Sequence, residues 1–518
     1  MAANEKDIFM NAKVYFKDYC KNSSIHGLKY LANQRPRLEK IWWLFSVLGI
    51  FVLCVSLIDE LRLKWQNSPA IVSFVTKETP IWQIPFPVVT ICPHSKWSPK
   101  RFYQKKCGAF KKRHGYNNTA LHIKSDLLNF LCPYDKKFTY SNNFTESPED
   151  ILKFYEWVQP NFFNLISDCK FMGKTYLCGE LFDHRIFTEE GICYAFNLLD
   201  RRDLFTDIVT FHNKYHSGFP NKWSMEHGYP TSERSETYPR RALFSGAPFA
   251  LEAKLSTYEK DSIITCPTCP KGYKLTISHP LSVPRPKYDY INLPLNYLLT
   301  TTVSLDMTST SKAASKYDPR GRNCYLSDER KLKFYKIYTQ QNCQMECLTN
   351  YTLASCNCSS FFMPRELDTR ICSGFDYHCV HNAELNMLDE SMKENFLKLN
   401  GLQDSTKCDC MPICSNVNYI LQHTYMPFSW KIKNVKYISG HHKSMFRIFF
   451  KEDQFMTFEK IELRGPIDFL ANLGGILGLT AGVSVLSLVE ILYYLTLRLI
   501  VNIQMFGSCN WSDGFGAE

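Results

Sequence analysis

The residues best placed to do chemistry lie in an apolar run near the C-terminus. Between Asp468 and Glu490 the chain carries no charge, yet Asn472, Gly474, Gly475, Gly478, Thr480, Gly482, Ser484 and Ser487 interrupt it. Gly474, Gly478 and Gly482 recur at four-residue spacing, a small-residue face that lets helices approach closely. Packing alone accounts for Gly474 and Gly478, but not for Asn472, Thr480, Ser484 or Glu490. An acid at membrane depth faces water or a polar partner and marks an ion or proton path. Gly482-Val483-Ser484 also permits a break in the helix, which is tolerated at that depth only where backbone lines a cavity. Carbonyls freed there can coordinate a partly dehydrated cation. The expected chemistry is cation coordination.

The second reactive group is the cysteines, 21 in 518 residues. So many thiols suit an oxidising compartment, or metal clusters in a reducing one. Cys20, Cys54 and Cys509 lie outside the main cluster, and the even number left between Cys92 and Cys414 allows complete pairing. Cys343 and Cys347 are four apart on an expected helix, Lys331–Leu348, and therefore share a face. Cys408 and Cys410 are two apart, as on one face of a strand. The helix step is about 6 Å and the strand step about 6.6 Å, so antiparallel rungs match. This pairs Cys343–Cys410 and Cys347–Cys408, with Cys324–Cys414 closing the ladder outside them. A structural metal is not expected, because structural zinc prefers Cys-x2-4-Cys knuckles in reducing compartments. Cys266-Pro-Thr-Cys269 reads as a small structural loop rather than a redox motif, since Pro270 follows it and no strand of that fold precedes it.

The elements that must position these residues divide the chain at the membrane. Ile41–Ile58 is uncharged and about 27 Å long as a helix, while Phe469–Val489 is about 31 Å and continues apolar to Leu497. The expected order is a cytoplasmic region 1–40, a first span 41–58, an extracellular domain 59–467, a second span 468–498 and a cytoplasmic tail 499–518. Lys6, Lys13, Lys17, Lys21, Lys29, Arg35, Arg37 and Lys40 precede the first span, which keeps the N-terminus inside. The first span then acts as an uncleaved signal anchor. The sequons at Asn117, Asn143, Asn350 and Asn357 all fall in the extracellular part. That part is mixed α/β, with strands expected at Ile84–Cys92, Gly191–Leu199, Leu295–Met307 and Phe446–Phe458 and a second helix at Glu384–Leu399.

Composition removes other classes. With 45% hydrophobic residues the chain is no disordered protein, and it is too long for a small disulfide scaffold. Its 61 Lys+Arg against 50 Asp+Glu are spread along the chain, so a nucleic-acid partner is not expected.

Four segments resemble, in the right order, the epithelial sodium channel/degenerin/acid-sensing ion channel family. They are His26-Gly27, the Phe86-Pro-Val-Val-Thr-Ile-Cys92 segment, the cysteine block Cys324–Cys414, and Leu470–Ser484 followed by Glu490. The resemblance implies a trimer, homomeric or built with related subunits, with palm, finger and thumb regions in the ectodomain and 324–414 as the thumb. It implies an amiloride-sensitive, sodium-preferring channel at the plasma membrane, with both termini cytoplasmic and an unknown extracellular ligand or mechanical stimulus. Gly482, Val483 and Ser484 would form the filter. Ala471 would be the site where bulky side chains hold the channel open, and His26-Gly27 the gating motif. Asn472 stands where acid-sensing channels have an aspartate, so their outer-pore electrostatics do not transfer. The resemblance also implies the pairs Cys92–Cys193, Cys169–Cys178, Cys356–Cys379 and Cys358–Cys372. Complete oxidation adds Cys107–Cys132 and Cys266–Cys269, which exceed the acid-sensing set and suggest another branch, the insect pickpocket channels. No cofactor is implied: sodium is the permeant ion, with amiloride-type blockers and membrane lipid as partners.

Three alternatives share the topology. A two-span ectonucleotidase would need Gly-rich, Asp-bearing phosphate loops, which are missing here. A lipid-binding scavenger-type receptor would not need a polar second span. A purinergic trimeric channel has different cysteine spacing and no Gly-x-Ser. His441 and His442 are candidates for pH sensing, with a solvated loop as the plainer reading.

Overall fold

The computed structural model describes residues 2–33, 36–67, 70–96, 98, 148–209, 220–225, 228–230, 237–258, 270–399, 408–429, 440–463 and 465–506. The chain forms two compact units, one of Met1–Ile71, Lys312–Arg322 and Ile461–Glu518, the other of Val72–Ser311 and Asn323–Lys460.

The larger unit is built on two sheets. The five-stranded sheet runs β5 (His184–Thr188), β6 (Gly191–Phe196), β2 (Val88–Pro93), β8 (Gly272–Ser278), β9 (Ile291–Pro294). Every residue of β2 and β6 is buried, as expected of strands covered on both faces, and α4 (Pro148–Val158) clusters Ile151, Leu152 and Tyr155 with Phe187 of β5 and Ile192 of β6. Ile91 pairs with Tyr194, so the register carries Cys92 opposite Cys193, and the two are bonded with Cα atoms 4.5 Å apart.

The second sheet, of eight strands, is ordered β1 (Ala70–Pro80), β13 (Gln454–Glu462), β10 (Tyr297–Thr310), β12 (His441–Phe450), β7 (Leu251–Tyr258), β3 (Ile166–Phe171), β4 (Lys174–Tyr176), with β11 (Asn416–Pro427) along β10. β7 alternates buried and half-exposed residues, the two-residue period of a strand with one core face. Phe86, in the motif before β2, is fully buried and meets the rings of Phe171, Phe196 and Phe450 at 5.3, 5.9 and 5.2 Å. That residue ties the sheets together, because an edge-to-face aromatic cluster adds to the area it buries.

Several element boundaries differ from the sequence expectation. Phe446–Phe458 is not one strand but the end of β12 and the start of β13. Both run parallel to β10, with Val303 opposite Phe450 and Met307 opposite Thr457, so three extra residues separate the two stretches. Asp453 holds that linker, its carbonyl accepting from Ile81 N and its carboxylate from Ser245 N (2.8 Å). The other strands keep their place with shifted ends.

The thumb-like helices also begin elsewhere. α5 (Gln340–Cys356) starts nine residues after Lys331, because Thr339 caps it by accepting from Asn342 N. The residues before it bond outward: Lys333 N and Phe334 N donate to Glu346, and Lys336 N to Leu204 O. α6 (Tyr377–Leu399) starts earlier than Glu384. Cys408–Cys410 is not a strand. Asp409 has a left-handed φ of 43°, and the segment's carbonyls are served by side chains, Arg330 on Cys408 O and Gln340 on Cys410 O. The rungs nevertheless join Cys343–Cys410 and Cys347–Cys408 at Cα distances of 5.6 and 5.7 Å. Cys324–Cys414, Cys356–Cys379, Cys358–Cys372 and Cys169–Cys178 are bonded too. Cys107, Cys132, Cys266, Cys269, Cys509, Asn117 and Asn143 lie outside the described residues. Cys20 and Cys54 are free and buried.

The smaller unit holds the apolar helices. α3 (Arg37–Asn67) is long enough to cross a bilayer, with Phe45 and Phe51 about two-thirds exposed. It runs past Ile58 because Asp59, Glu60, Arg62 and Lys64 pair along its surface at helical spacing. The second apolar run is not one helix. It divides into α7 (Pro466–Ala481), α8 (Val485–Leu495) and α9 (Leu497–Phe506).

Candidate functional site

The break between α7 and α8 falls on Gly482, Val483 and Ser484. Gly482 caps α7 in the left-handed region (φ 65°), a conformation that costs a residue with a Cβ. Its N–H donates to Gly478 O at 3.0 Å and Val483 N–H to Leu477 O at 3.3 Å, closing the helix end. Ser484 then starts α8. Its hydroxyl accepts from Ser487 N at 3.3 Å, and its own N–H donates to Ser487 Oγ at 3.1 Å. This reciprocal box satisfies donors a new helix would otherwise leave open.

An N-terminal turn lies against this break. α1 (Ala2–Asn22) and α2 (Leu28–Ala32) flank Ser23–Gly27. His26 N donates to Ala481 O at 3.0 Å, and a Cβ on Gly482 would stand 2.2 Å from His26 Nδ1. Glycine at 482 is therefore required twice, by its φ and by the imidazole. Gly27, at φ 90°, packs so closely that a Cβ would meet Val47 Cγ2 at 2.7 Å. Ser24 completes the clamp: N and Oγ both donate to Glu490 Oε2, at 3.1 and 2.9 Å, and Oγ also meets Ser487 Oγ at 2.8 Å. Farther along, Tyr15 donates to Tyr494 O, and Arg498 lies 3.4 Å from Asp18.

The structure thus brings together His26, Gly27, Gly482, Val483, Ser484 and Glu490. Ala471 and Asn472 stand apart, about 16 Å back along α7 from the break. Ala471 is exposed, and the exposed Asn472 donates to Asp468 O at 2.8 Å. Cβ atoms added to Gly474 or Gly475 would meet nothing within 4 Å, so among the described residues nothing packs on the helix at those two positions, whereas Gly482 is covered by His26. Ser24 and Ser487 also belong to this cluster. The Ser-x-x-Ser spacing from Ser484 is a readable cap signal, whereas nothing local announces a contact between Ser24 and Glu490.

Other candidates read differently in place. His441 and His442 open β12 opposite Tyr258 and Thr257, rather than sitting in a solvated loop. Burial, then Lys443 and His442, hold His441 below the ordinary histidine range. Asn350 is exposed on α5, and Asn357, also exposed, caps its C-terminus in the left-handed region. Among the described residues the cluster closest to a metal site is Cys358, Cys372 and Asp376, and its two sulfurs are bonded to each other.

Comparison with known proteins gives the family. The family model described as "Amiloride-sensitive sodium channel" matches residues 19–494. The chain is similar to Pickpocket protein 28 of Drosophila melanogaster, 24% identical over 93% of this chain and 78% of that protein. It is similar to Sodium channel protein Nach of Drosophila ananassae, 24% identical over 94% of this chain and 87% of that one. Acid-sensing ion channel 1 of Gallus gallus is 20% identical, over 95% and 86%. These are ion channels, so the ectoenzyme and lipid-receptor alternatives give way. The chain is an ion channel subunit of the membrane and belongs to the amiloride-sensitive sodium channel family, the epithelial sodium channel/degenerin/acid-sensing group to which the pickpocket proteins are similar members.

Proposed function

We propose that this subunit forms a sodium-preferring, amiloride-sensitive pore with two other copies or related subunits. A chemical or mechanical stimulus at the ectodomain opens it. The observation that carries this reading is the break at Gly482–Ser484 inside an otherwise apolar helix. Irregular backbone at membrane depth is tolerated where protein covers it or where it lines a water-filled path; the His26 turn covers one side of this break, and the path takes the other. The open glycines of α7, Gly474 and Gly475, which no described residue of this chain covers, support assembly with neighbouring subunits. Three Glu490 carboxylates around one axis would concentrate cations without choosing between sodium and potassium. The choice then rests on the ring of Gly482 and Val483 carbonyls and on Ser484. Both termini lie in the cytoplasm and the disulfide-bonded unit outside the plasma membrane, the arrangement that the basic N-terminal residues favour. Asn350 and Asn357, with Asn117 and Asn143, are the glycan acceptors in this topology.

The test is whole-cell recording from cells expressing the chain with Ala471→Val. Ala471 is exposed in one subunit, so added methyls act only where neighbouring pore helices cross. Overpacking there costs about 1–3 kcal/mol, or roughly one to two decades in a closed-to-open equilibrium. A resting, amiloride-blocked inward sodium current is expected. Surface expression without such a current contradicts the reading.

A further inference from the structure

Two sequons, Asn350-Tyr351-Thr352 and Asn357-Cys358-Ser359, stand on one helix but are held shut in different ways. Asn350 lies within α5, and Asn357 caps its end with a left-handed φ of 52°. Both asparagines are exposed, so a glycan on either fits the folded unit. The third residue of each sequon is sealed, Thr352 and Ser359 both being 0% exposed. The Thr352 hydroxyl donates to Leu348 O at 2.8 Å and the Ser359 hydroxyl to Ser360 O at 3.4 Å. Glycan transfer needs that hydroxyl presented to the transferase in an open chain, so neither asparagine is an acceptor once the unit has folded.

The locks differ. Helix holds the first sequon, and an isolated helix forms and melts in about 0.1–1 μs. The sulfurs that staple this helix, Cys343 and Cys347, wait for Cys410 and Cys408, 67 and 61 residues later. Cys356–Cys379 pins the helix end outside either sequon. The second sequon carries a disulfide cysteine at its centre, since Cys358 is bonded to Cys372 across 14 residues. Around that bond Ser359 lies against Ile371, with Ser359 N donating to Arg370 O and Cys372 N to Ser359 O, both at 2.9 Å. A covalent lock does not reopen on the timescale of a helix. It also closes early: at about 5–20 residues per second Cys372 follows Cys358 by roughly 1–3 s. A loop of about 10 residues closes in about 10–100 ns, so only thiol chemistry, which takes seconds or longer, keeps the window open.

We propose that Asn357 is a redox-timed glycosylation site: its oligosaccharide is added only before Cys358–Cys372 closes, so the rate of oxidation sets its occupancy, while Asn350 escapes that limit. In the transfer, Asn357 Nδ2 loses a proton and bonds to the anomeric carbon of a lipid-linked pyrophosphoryl oligosaccharide. The carbon–oxygen bond to the pyrophosphate breaks and lipid pyrophosphate leaves. Disulfide closure by exchange passes two electrons and two protons from the Cys358 and Cys372 thiols to a partner disulfide. The inference rests on the extracellular placement of the larger unit.

The test is glycan occupancy at each asparagine, mapped by mass spectrometry on the denatured full chain from animal cells, so that poorly folded variants are read equally. Dithiothreitol present during synthesis slows oxidation and should raise occupancy at Asn357 about twofold or more, with Asn350 unchanged. Cys372→Ser should do the same without reductant, because it leaves the sequon intact and removes the lock. Cys193→Ser removes a staple elsewhere in the unit, Cys92–Cys193, and should leave both sites as they were. Occupancy at Asn357 that ignores both the reductant and Cys372→Ser, or that rises equally in Cys193→Ser, would overturn the proposal. No glycan at either asparagine in any sample would overturn the extracellular placement and the proposal with it.

Discussion

Two left-handed turns in this molecule are held in opposite ways. Asp409 turns the chain between Cys408 and Cys410, and sulfur fixes both neighbours to α5. Gly482 turns the chain between α7 and α8, and among the described residues hydrogen bonds, including those of His26, Ser24 and Ser484, hold that region. The two disulfides close sequence separations of 67 and 61 residues. Each is worth about 4 kcal/mol on a loop-entropy estimate. A hydrogen bond contributes about 0.5–1.5 kcal/mol net, and roughly 1.5–3 when one partner is charged. The disulfide-held turn is therefore fixed on any timescale of function, whereas the break in the apolar helix can be rearranged by energies that a ligand supplies. On the proposed function, conduction and its control belong to the weaker turn.

The largest expected effect strikes the stronger one. Cys343→Ala with Cys410→Ala should cost about 2–5 kcal/mol, read as a large fall in Tm of the purified chain. Nonreducing peptide mapping of the parent should recover both ladder pairs. A parallel pairing would remove the contrast.

Next in size is Gly482→Ala. Left-handed backbone costs a Cβ-bearing residue about 1–2 kcal/mol, and here the methyl also collides with His26. Current at equal surface density should drop about tenfold or more. Adding His26→Ala should restore part of it, since only the collision is relieved. If the second change restores nothing, the imidazole contact does not matter.

Smaller is the clamp on Glu490. Glu490→Gln should lower conductance while leaving the reversal potential in place, because a charge concentrates cations without sizing them. Ser24→Ala should shift gating about fivefold, and the double variant should fall short of the two effects combined, because they share one hydrogen bond. Full additivity would show that the contact is not made in the membrane.

The smallest effect separates the regions by pH. Burial, helped by Lys96 and Lys274, lowers His94 to about 4. Below about pH 6.5 the unfolded chain takes a proton there that the folded chain refuses, so stability falls as pH drops toward 4. Tm should decline across that window, and His94→Gln should flatten the decline. An unchanged profile in the variant would assign the loss to other groups.

What could be read in the sequence was whatever repeats locally. The four-residue step of Cys343 and Cys347 placed both on one helix face, and the buried runs at β2 and β6 announced covered strands. Thr339 carried a cap signal that places the helix start at Gln340, but the aromatic residues from Phe334 to Tyr338 mimic an amphipathic turn. Asp409 shows the limit of period-two reasoning: alternate cysteines can share a face when side chains, rather than a neighbouring strand, serve the carbonyls. β12 and β13 read as one strand because they do share one edge of β10, apart from three extra residues. At the site, the glycines and serines of the break were visible as exceptions to apolarity. The Ser24 to Glu490 contact spans 466 positions and leaves no local pattern.

The central claim is that Gly482-Val483-Ser484 chooses the ion. It is tested most directly by reversal potentials in mixed sodium and potassium solutions, measured on Ala471→Val channels carrying Ser484→Cys or Ser484→Asp. Aspartate keeps a good helix cap while adding charge, and cysteine weakens the cap while staying close in size. The account predicts a shift in the sodium-to-potassium permeability ratio in both, with conduction retained in the aspartate channel. Unchanged reversal potentials in both variants would make the break a packing feature and place the filter elsewhere.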